Sequence, residues 1–247
     1  MLAPIDETLS REELTTFVAE NLSALTEKEA LAVLAHRFVT TAIVQKIAQN
    51  ERLIGFYSIR LRLVAHRKTP QAHAAKLVHY LYWSDQVRLS VDVTVPAPAR
   101  RALDNLLLAR IGELSAGERI TTARRCSAAL IKVLLFDGDP RVFAALLVNQ
   151  RLRDDDLLYF ASSPKAGPEQ LALLAADPKW SFRYLIRKTL AANPRTPRAA
   201  AAAQLRHLRP GDLRKIHSHP NTPVYIRRCI ERLAAHASSS TPQRRID

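Results

Sequence analysis

Glycine, aromatic residues and cysteine are all scarce in this chain. Its 247 residues include only 6 glycines and 2 cysteines, and aromatic side chains make up 6%. So few glycines argue against nucleotide-binding folds and turn-rich sheets, which use glycine for tight turns and phosphate loops. Ala, Leu and Arg dominate instead, and all three are good helix formers. The composition therefore predicts an all-α fold.

Long apolar runs are also absent. No run approaches the roughly 20 residues of a membrane-spanning helix, and the opening residues MLAPIDETLSREEL are acidic, unlike a secretory signal. Two cysteines are too few for a disulfide framework, so we expect a cytoplasmic protein. The sequence has no phosphate loop, dinucleotide fingerprint, nucleophile elbow or metal-ligand spacing. It therefore predicts no catalytic residue, no cofactor and no metal site.

Positive charge is in excess and lies mainly toward the C-terminus. The net charge is +14. Residues 1–29 hold seven acids against two bases, whereas residues from 178 onward hold fifteen Lys or Arg against three acids. This asymmetry indicates an anionic partner, which is nucleic acid, an acidic protein or a membrane surface. The alternative is a solvated basic surface without a ligand.

Three stretches that end in Thr-Pro indicate an internal repeat. They are AHRKTP at 65–70, NPRTP at 193–197 and HPNTP at 219–223. Thr is suited to the N-cap and Pro to the first helical position. The spacing from Pro197 to Pro223 equals that from Pro70 to Pro96, which gives a period of about 26 residues. Units of this length hold two short helices and must stack to bury their apolar faces.

The repeat rhythm predicts one helical domain over residues 1–236, a right-handed α-solenoid of about five to seven stacked helix pairs. We divide it into an acidic cap with the first repeats (1–65), middle repeats (66–163) and basic C-terminal repeats (164–236). The polar residues 237–247 are predicted to be disordered. Helices are predicted at 10–23, 26–36, 39–49, 51–65, 69–82, 96–113, 118–136, 140–150, 153–162, 168–176, 179–192, 196–207, 210–217 and 222–236.

Two segments resemble known helical repeats. The segment DPKWSFRYLIRKTLAANPRTPRAAAAAQL resembles the variant leucine-rich repeat, with D-P, an apolar helix and then N-P-x-T-P, and the likeness covers about residues 164–235. Phe182-Arg183 stands where that family has a β-branched residue before Arg. The segment DPRVFAALLVNQRLRDDDLLYFASSP resembles HEAT-like α-repeat arrays of uncharacterised bacterial proteins. The resemblance implies a stacked helical fold and no chemistry, since the cysteine-rich segment that can hold an iron–sulfur cluster is absent.

Basic residues of the C-terminal repeats are the candidate binding residues. Lys179, Arg183 and Arg187 recur at i, i+4 and i+8, which places them on one side of a single predicted helix. Several such cations together bind phosphates without reading sequence. The predicted anion-binding residues are Lys179, Arg183, Arg187, Lys188, Arg214, Lys215, Arg227 and Arg228.

The repeat register adds further expectations about this surface. Aligning the Thr-Pro stretches places Arg206 over Arg232. Arg227 and Glu231, at i and i+4, can instead form a surface ion pair. The core face opposite the basic stripe is predicted to contain Phe182, Leu185, Ile186 and Leu190.

Both cysteines follow an Arg-Arg pair, at Arg124-Arg125-Cys126 and Arg227-Arg228-Cys229. The separation of the two triplets is close to four repeat periods. We predict that both thiols occupy equivalent buried apolar positions. A reactive thiol, with its pKa lowered by the arginines, is one alternative. A disulfide or a metal site is another, but the repeat spacing and the lack of a nearby Cys or His argue against it.

Aromatic and acidic clusters have structural explanations. Trp180 and Phe182 are predicted to pack in the core, although bases can stack on aromatics interleaved with cations. Asp139 and the acids at 154–156 are predicted to cap helices rather than to bind metal.

These features predict a non-catalytic helical-repeat scaffold whose basic C-terminal face binds an anionic partner, with nucleic acid backbone preferred over lipid. One alternative is a protein–protein adaptor that binds an acidic protein. Another is an enzyme similar to HEAT-like DNA glycosylases in size, charge and repeat character. An Asp beside tryptophans that line a basic groove, for example Asp177 near Trp180, would favour this alternative.

Overall fold

The protein is all-helical. A computed structural model describes residues 8–239, with side chains described to residue 236, and every regular element in that range is a helix. This confirms the all-α prediction. None of the described helices has both the length and the apolarity needed to cross a bilayer.

The chain divides into two compact units. The first contains the residues up to Leu114 together with Arg125–Leu130, and the second contains Ser115–Arg124 together with the residues from Ile131 onward. The first unit contains α1 (Arg11–Asn21), α2 (Glu27–Ala35), α3 (Thr41–Gln49), α4 (Glu51–Ile54), α5 (Tyr57–Ala65), α6 (Gln71–Leu77), α7 (Trp83–Val91) and α8 (Ala97–Arg110). The remaining helices are α9 (Ala116–Ala123), α10 (Ala128–Leu134), α11 (Pro140–Leu147), α12 (Asp154–Ser162), α13 (Pro168–Ala176), α14 (Tyr184–Ala192), α15 (Arg198–Leu205), α16 (Pro210–Ser218) and α17 (Val224–Ser239).

The predicted domain boundaries at 65/66 and 163/164 stay predictions. Of the predicted disordered tail, residues 237–239 belong to α17. The rest of that tail, 240–247, lies outside the described residues, as do residues 1–7 of the predicted acidic cap.

Capping boxes start three helices, as the sequence predicts. At the start of α1, the Ser10 hydroxyl accepts from the Glu13 N–H and the Glu13 carboxylate accepts from the Ser10 N–H. Thr26 with Glu29 and Ser115 with Glu118 do the same for α2 and α9. Each box satisfies backbone donors that a helix start otherwise leaves unpaired.

The Thr-Pro stretches work differently from the prediction. Pro70, not Thr69, is the N-cap of α6. The Thr69 hydroxyl donates to the Leu63 carbonyl (2.7 Å), and the Thr222 hydroxyl donates to the Ile216 carbonyl (2.6 Å). These threonines therefore close the preceding helix rather than cap the following one.

Two of the predicted helices are interrupted, and one helix forms where none is predicted. The predicted helix 51–65 is interrupted because Gly55 ends α4 and Phe56 is extended. The predicted helix 118–136 is interrupted at 124–127. Residues 83–91, predicted to lie outside any helix, form α7, where the buried Gln86 amide donates to the carbonyls of the preceding segment.

Six helices of the first unit have counterparts in the second at a constant offset in residue number, which takes Glu27 to Asp154, whereas α4 has none. We call this the copy offset. The four most closely matched helices are α2, α3, α5 and α7, whose first and last residues all map by the copy offset onto those of α12, α13, α14 and α16. The first residues of α6 and α8 likewise map onto those of α15 and α17. We call residues 27–105 the first copy and residues 154–232 the second copy.

Helix packing follows the same order in both copies. In the first copy α2 packs on α5, α5 on α6, α6 on α8 and α7 on α8. In the second copy α12 packs on α14, α14 on α15, α15 on α17 and α16 on α17. Buried aliphatic side chains fill the space between the helices in each unit.

A turn with a side-chain acceptor recurs between the helices. At Asn193 the side-chain oxygen accepts the Arg195 N–H (2.8 Å) and the carbonyl accepts the Thr196 N–H (3.1 Å). The same turn begins at His36, His66, Asp92, Asn149, Ser163, Asn193 and His219. The spacing from His66 to Asp92 equals that from Asn193 to His219, and both equal the spacing from Pro197 to Pro223. The spacing of the Thr-Pro stretches in the sequence therefore coincides with the spacing of these turns.

A tyrosine–aspartate hydrogen bond links helices in both copies. The Tyr57 hydroxyl on α5 donates to Asp85 on α7 and accepts the Tyr82 N–H (3.2 Å). At the equivalent positions of the second copy, the Tyr184 hydroxyl donates to Asp212 and accepts the Arg209 N–H (3.1 Å). Each tyrosine therefore joins one helix to the N-terminal turn of another.

We expect Tyr57→Phe to lower the free energy of unfolding by about 1–3 kcal/mol, because the variant leaves the Asp85 carboxylate without this donor. Burial, followed by the hydrogen bond to Asp85, raises the pKa of Tyr57 to about 12. A raised pKa stabilises the fold below pH 10 and loses that effect as the pH rises from about 10 to 12. Urea unfolding at pH 7 measures the effect of the substitution, and urea unfolding at pH 11.5 measures the loss of the stabilisation that the raised pKa gives. Tyr80→Phe, at a 64% exposed tyrosine, is the control. Equal stability of wild type and Tyr57→Phe at pH 7 would contradict this role.

Candidate functional site

The predicted basic stripe does not lie on one helix. α14 begins at Tyr184, so Lys179 and Arg183 precede it and only Arg187 lies within it. Asp177 causes the difference, because its carboxylate accepts the N–H groups of Lys179 (2.8 Å) and Trp180 (3.1 Å) in a turn. The i, i+4, i+8 arrangement is therefore wrong.

The predicted core face opposite this stripe is correct only in part. Ile186 and Leu190 are buried, but Phe182 is 60% exposed and Leu185 is 58% exposed. Trp180 is buried as predicted, and its indole N–H donates to the Leu147 carbonyl (3.0 Å).

Four of the eight predicted binding residues make contacts within the protein. Arg183 forms an ion pair with Asp154, and Lys188 forms one with Asp212 (2.8 Å). The other two bind carbonyl oxygens: Arg187 donates to Ser181, and Arg227 donates to His219 and Pro220. The possible Arg227–Glu231 pair does not form, since Glu231 pairs with His217 (3.0 Å).

The other four predicted residues are exposed cations. Lys179, Arg214, Lys215 and Arg228 form no ion pair with any residue in the range 8–236. Lys179 lies over the Trp180 ring, 4.3 Å from its centroid. Arg228 lies on α17, whereas Arg214 and Lys215 lie on α16.

Four arginines line two pockets between α15 and α17. Arg198 and Arg228 line one pocket, beside Tyr225. Arg206 and Arg232 line the other, beside Cys229. None of these arginines forms an ion pair with the described acids, and Arg198 lies over the Tyr225 ring (5.3 Å). Repulsion among these uncompensated charges is relieved when an anion binds.

Three of these arginines, Arg198, Arg206 and Arg232, are not among the eight predicted binding residues. The signal for two of them was present in the sequence, because the repeat register places Arg206 over Arg232. The structure brings both to the same pocket. We call the surface between α15 and α17 that carries Arg198, Arg206, Arg228 and Arg232 the arginine groove.

The first copy shows that the fold does not need this charge. Gln71, His79 and Asn105 occupy the positions that Arg198, Arg206 and Arg232 hold in the second copy. Only Arg228 has Lys or Arg as its counterpart, which is Arg101. All eight of these side chains are exposed.

The two cysteines do not occupy equivalent positions, which corrects the prediction. Cys126 is fully buried in the segment between α9 and α10, whereas Cys229 is half-buried within α17. The copy offset places Ala102, not Cys126, opposite Cys229. Cys229 instead lies within the arginine groove.

The acidic clusters cap helices, as predicted. Asp139 accepts the Arg141 N–H at the start of α11, and its bonds to Arg141 lower its pKa to about 2. Asp156 accepts the Arg153 N–H at the start of α12. Within the described part of the chain, no group of three or more His, Cys, Asp or Glu side chains is placed to hold a metal ion.

The Asp177–Trp180 pair belongs to the turn before α14. Asp177 accepts backbone N–H groups there, and the Trp180 ring is buried. Neither residue lines the arginine groove. The pair that was given as an example for the glycosylase hypothesis therefore does not lie in this groove, and the hypothesis stays untested.

Comparison with known proteins identifies no relative. No protein-family model, no curated protein and no solved structure matches this chain.

Proposed function

We propose that the protein is a non-catalytic helical-repeat scaffold that binds the phosphate backbone of nucleic acid through the arginine groove. The observation that supports this most is the presence of four arginines without acidic partners in the two pockets between α15 and α17. Phosphate oxygens are strong acceptors for guanidinium groups, and such contacts need no base recognition.

The dimensions of the groove suit a strand rather than a single ion. Arg198 and Arg206 lie just over two helical turns apart, so the arginines span about 12 Å along the helix axis. Successive phosphates rise about 3.4 Å along a duplex, so the groove can contact more than one of them. Tyr225, half-buried beneath Arg198, holds that guanidinium in place.

We further propose a right-handed α-solenoid architecture of the HEAT-like or variant leucine-rich repeat type, with five to seven helix pairs. The recurrent turns and the packing of alternate helices on one another within each unit support it. Repeat proteins of this kind bind ligands along the surface of stacked helices. An adaptor that binds an acidic protein is the second candidate, and the groove between α12, α14 and α16 supports it.

Fluorescence anisotropy with labelled single- and double-stranded DNA and RNA tests this function across a salt series. If four arginines each contact one phosphate, log K for duplex DNA should fall with log salt at a slope of about −3.6. Failure to bind any of the four nucleic acids at low salt would refute the proposal. An affinity that does not change with salt would refute it as well.

A further inference from the structure

A second groove in the second copy has an apolar surface with basic edges. It lies between α12, α14 and α16 and has a volume of about 790 Å³. Tyr159 on α12 (64% exposed) and Leu185 on α14 (58% exposed) line it. Lys188 and Lys215 line it as well. The arginine groove and this second groove both lie in the second unit, but different helices form them.

The first copy has no such groove lining. Ala32 and Ser58 occupy the positions of Tyr159 and Leu185. The Ser58 hydroxyl donates to Glu27. The exposed leucine and tyrosine are therefore not required by this arrangement of helices, since small side chains serve at the same positions in the first copy.

The charges at the groove also differ between the copies. In the first copy Arg88 pairs with Asp85 (2.6 Å). In the second copy Lys188 occupies the place of Leu61 and pairs with Asp212 (2.8 Å). Lys215, the counterpart of Arg88, consequently has no ion pair with any described acid. Its ammonium group is thus available to an external carboxylate.

We propose that this groove binds an acidic amphipathic helix of a partner protein. Apolar side chains at i, i+3 or i+4, and i+7 of that helix bury Leu185 and Tyr159, as in other helix-in-groove complexes. Acidic residues beside the apolar stripe pair with Lys215 and with the partly exposed ammonium group of Lys188. A nucleic acid backbone fits this groove less well, because phosphates and sugars do not bury a leucine side chain.

A random peptide library displayed on phage, long enough for about four helical turns, tests this proposal when it is selected on the full-length protein. The expected peptides combine a helical apolar stripe with flanking Asp or Glu. Synthetic copies of the enriched peptides are then titrated by anisotropy against wild type, Leu185→Ser, Tyr159→Ala and Lys215→Glu. The first two variants carry the residues of the first copy, so we expect them to fold, and circular dichroism checks this.

We expect Leu185→Ser to weaken peptide binding roughly 10- to 100-fold, because it removes a leucine that becomes buried on binding. Lys215→Glu should lower the affinity for acidic peptides and raise the affinity for peptides in which Lys replaces the acids. Leu185→Ser should leave nucleic acid affinity unchanged, and loss of the groove arginines should leave peptide affinity unchanged. No enriched motif, a basic motif, or peptide affinity that is the same in Leu185→Ser would each overturn the proposal.

Discussion

The triple variant Arg198→Gln, Arg206→His, Arg232→Asn is expected to bind duplex DNA on the order of 10²-fold more weakly than wild type at about 0.1 M salt. Each lost guanidinium removes one phosphate contact and the counterion release that goes with it. The three replacements are the residues that the first copy has at these positions. We therefore expect the variant to fold with little change in thermal midpoint.

A matched control separates local contacts from total charge. Lys46→Gln, Arg62→Thr, Lys76→Ala removes the same number of cations from exposed positions of the first unit. This control should lower affinity much less than the groove variant does, because it leaves all four arginines of the groove in place. Equal losses in the two variants would mean that net charge, not the arginine groove, determines binding.

The largest expected effect on stability is that of Trp180→Ala, which should lower the free energy of unfolding of the second unit by about 3–5 kcal/mol. Trp180 is 2% exposed, and its indole N–H donates to the Leu147 carbonyl. The alanine variant creates a cavity and leaves that carbonyl without its side-chain donor. Urea unfolding followed by circular dichroism measures the change.

Two further variants test the packing explanation of Trp180. Trp180→Leu should lower the free energy of unfolding less than Trp180→Ala does, because the fully buried Leu53 occupies this position in the first copy. Phe182→Ala, at a 60% exposed side chain, should change stability by about 0.5 kcal/mol or less. If Phe182→Ala destabilised the protein as much as Trp180→Ala, the assignment of Trp180 as the buried member of this segment would be wrong.

The features that the sequence predicted correctly are those encoded locally. Six glycines and abundant Ala and Leu predicted the all-α fold, and Ser10 with Glu13 predicted a capping box that forms. The predicted stripe of Lys179, Arg183 and Arg187 failed because Asp177 holds a turn where the periodicity continues. Periodicity cannot show that a side-chain acceptor holds a turn and delays the start of the helix.

The relation between the two copies was present in the sequence but difficult to recognise. T-P-x-A-x-A-A occurs at 69–75 and 196–202, and Y-x-I-R occurs at 57–60 and 184–187. These matches are short and far apart, because most positions of a helical repeat need only an apolar side chain. The shared tyrosine–aspartate hydrogen bonds make the relation clear, since they place four matched residues in identical roles.

The difference between paired and unpaired cations could not be predicted from the sequence. Arg183 and Arg228 look alike in a charge pattern, yet Arg183 pairs with Asp154, 29 residues away. Arg228 lies in a groove without an acid. Only the tertiary structure shows which positive charges an external anion can reach.

The central claim is that nucleic acid lies in the arginine groove, and alkylation of Cys229 tests it most directly. Cys126 is fully buried and Cys229 is half-buried in the groove, so N-ethylmaleimide should modify Cys229 alone in the folded protein. Cys229→Ala, which carries the residue of the first copy, should not react. Saturating duplex DNA is predicted to slow the alkylation of Cys229 strongly in low salt, and added salt should reverse the protection. An unchanged alkylation rate with DNA bound would contradict the claim.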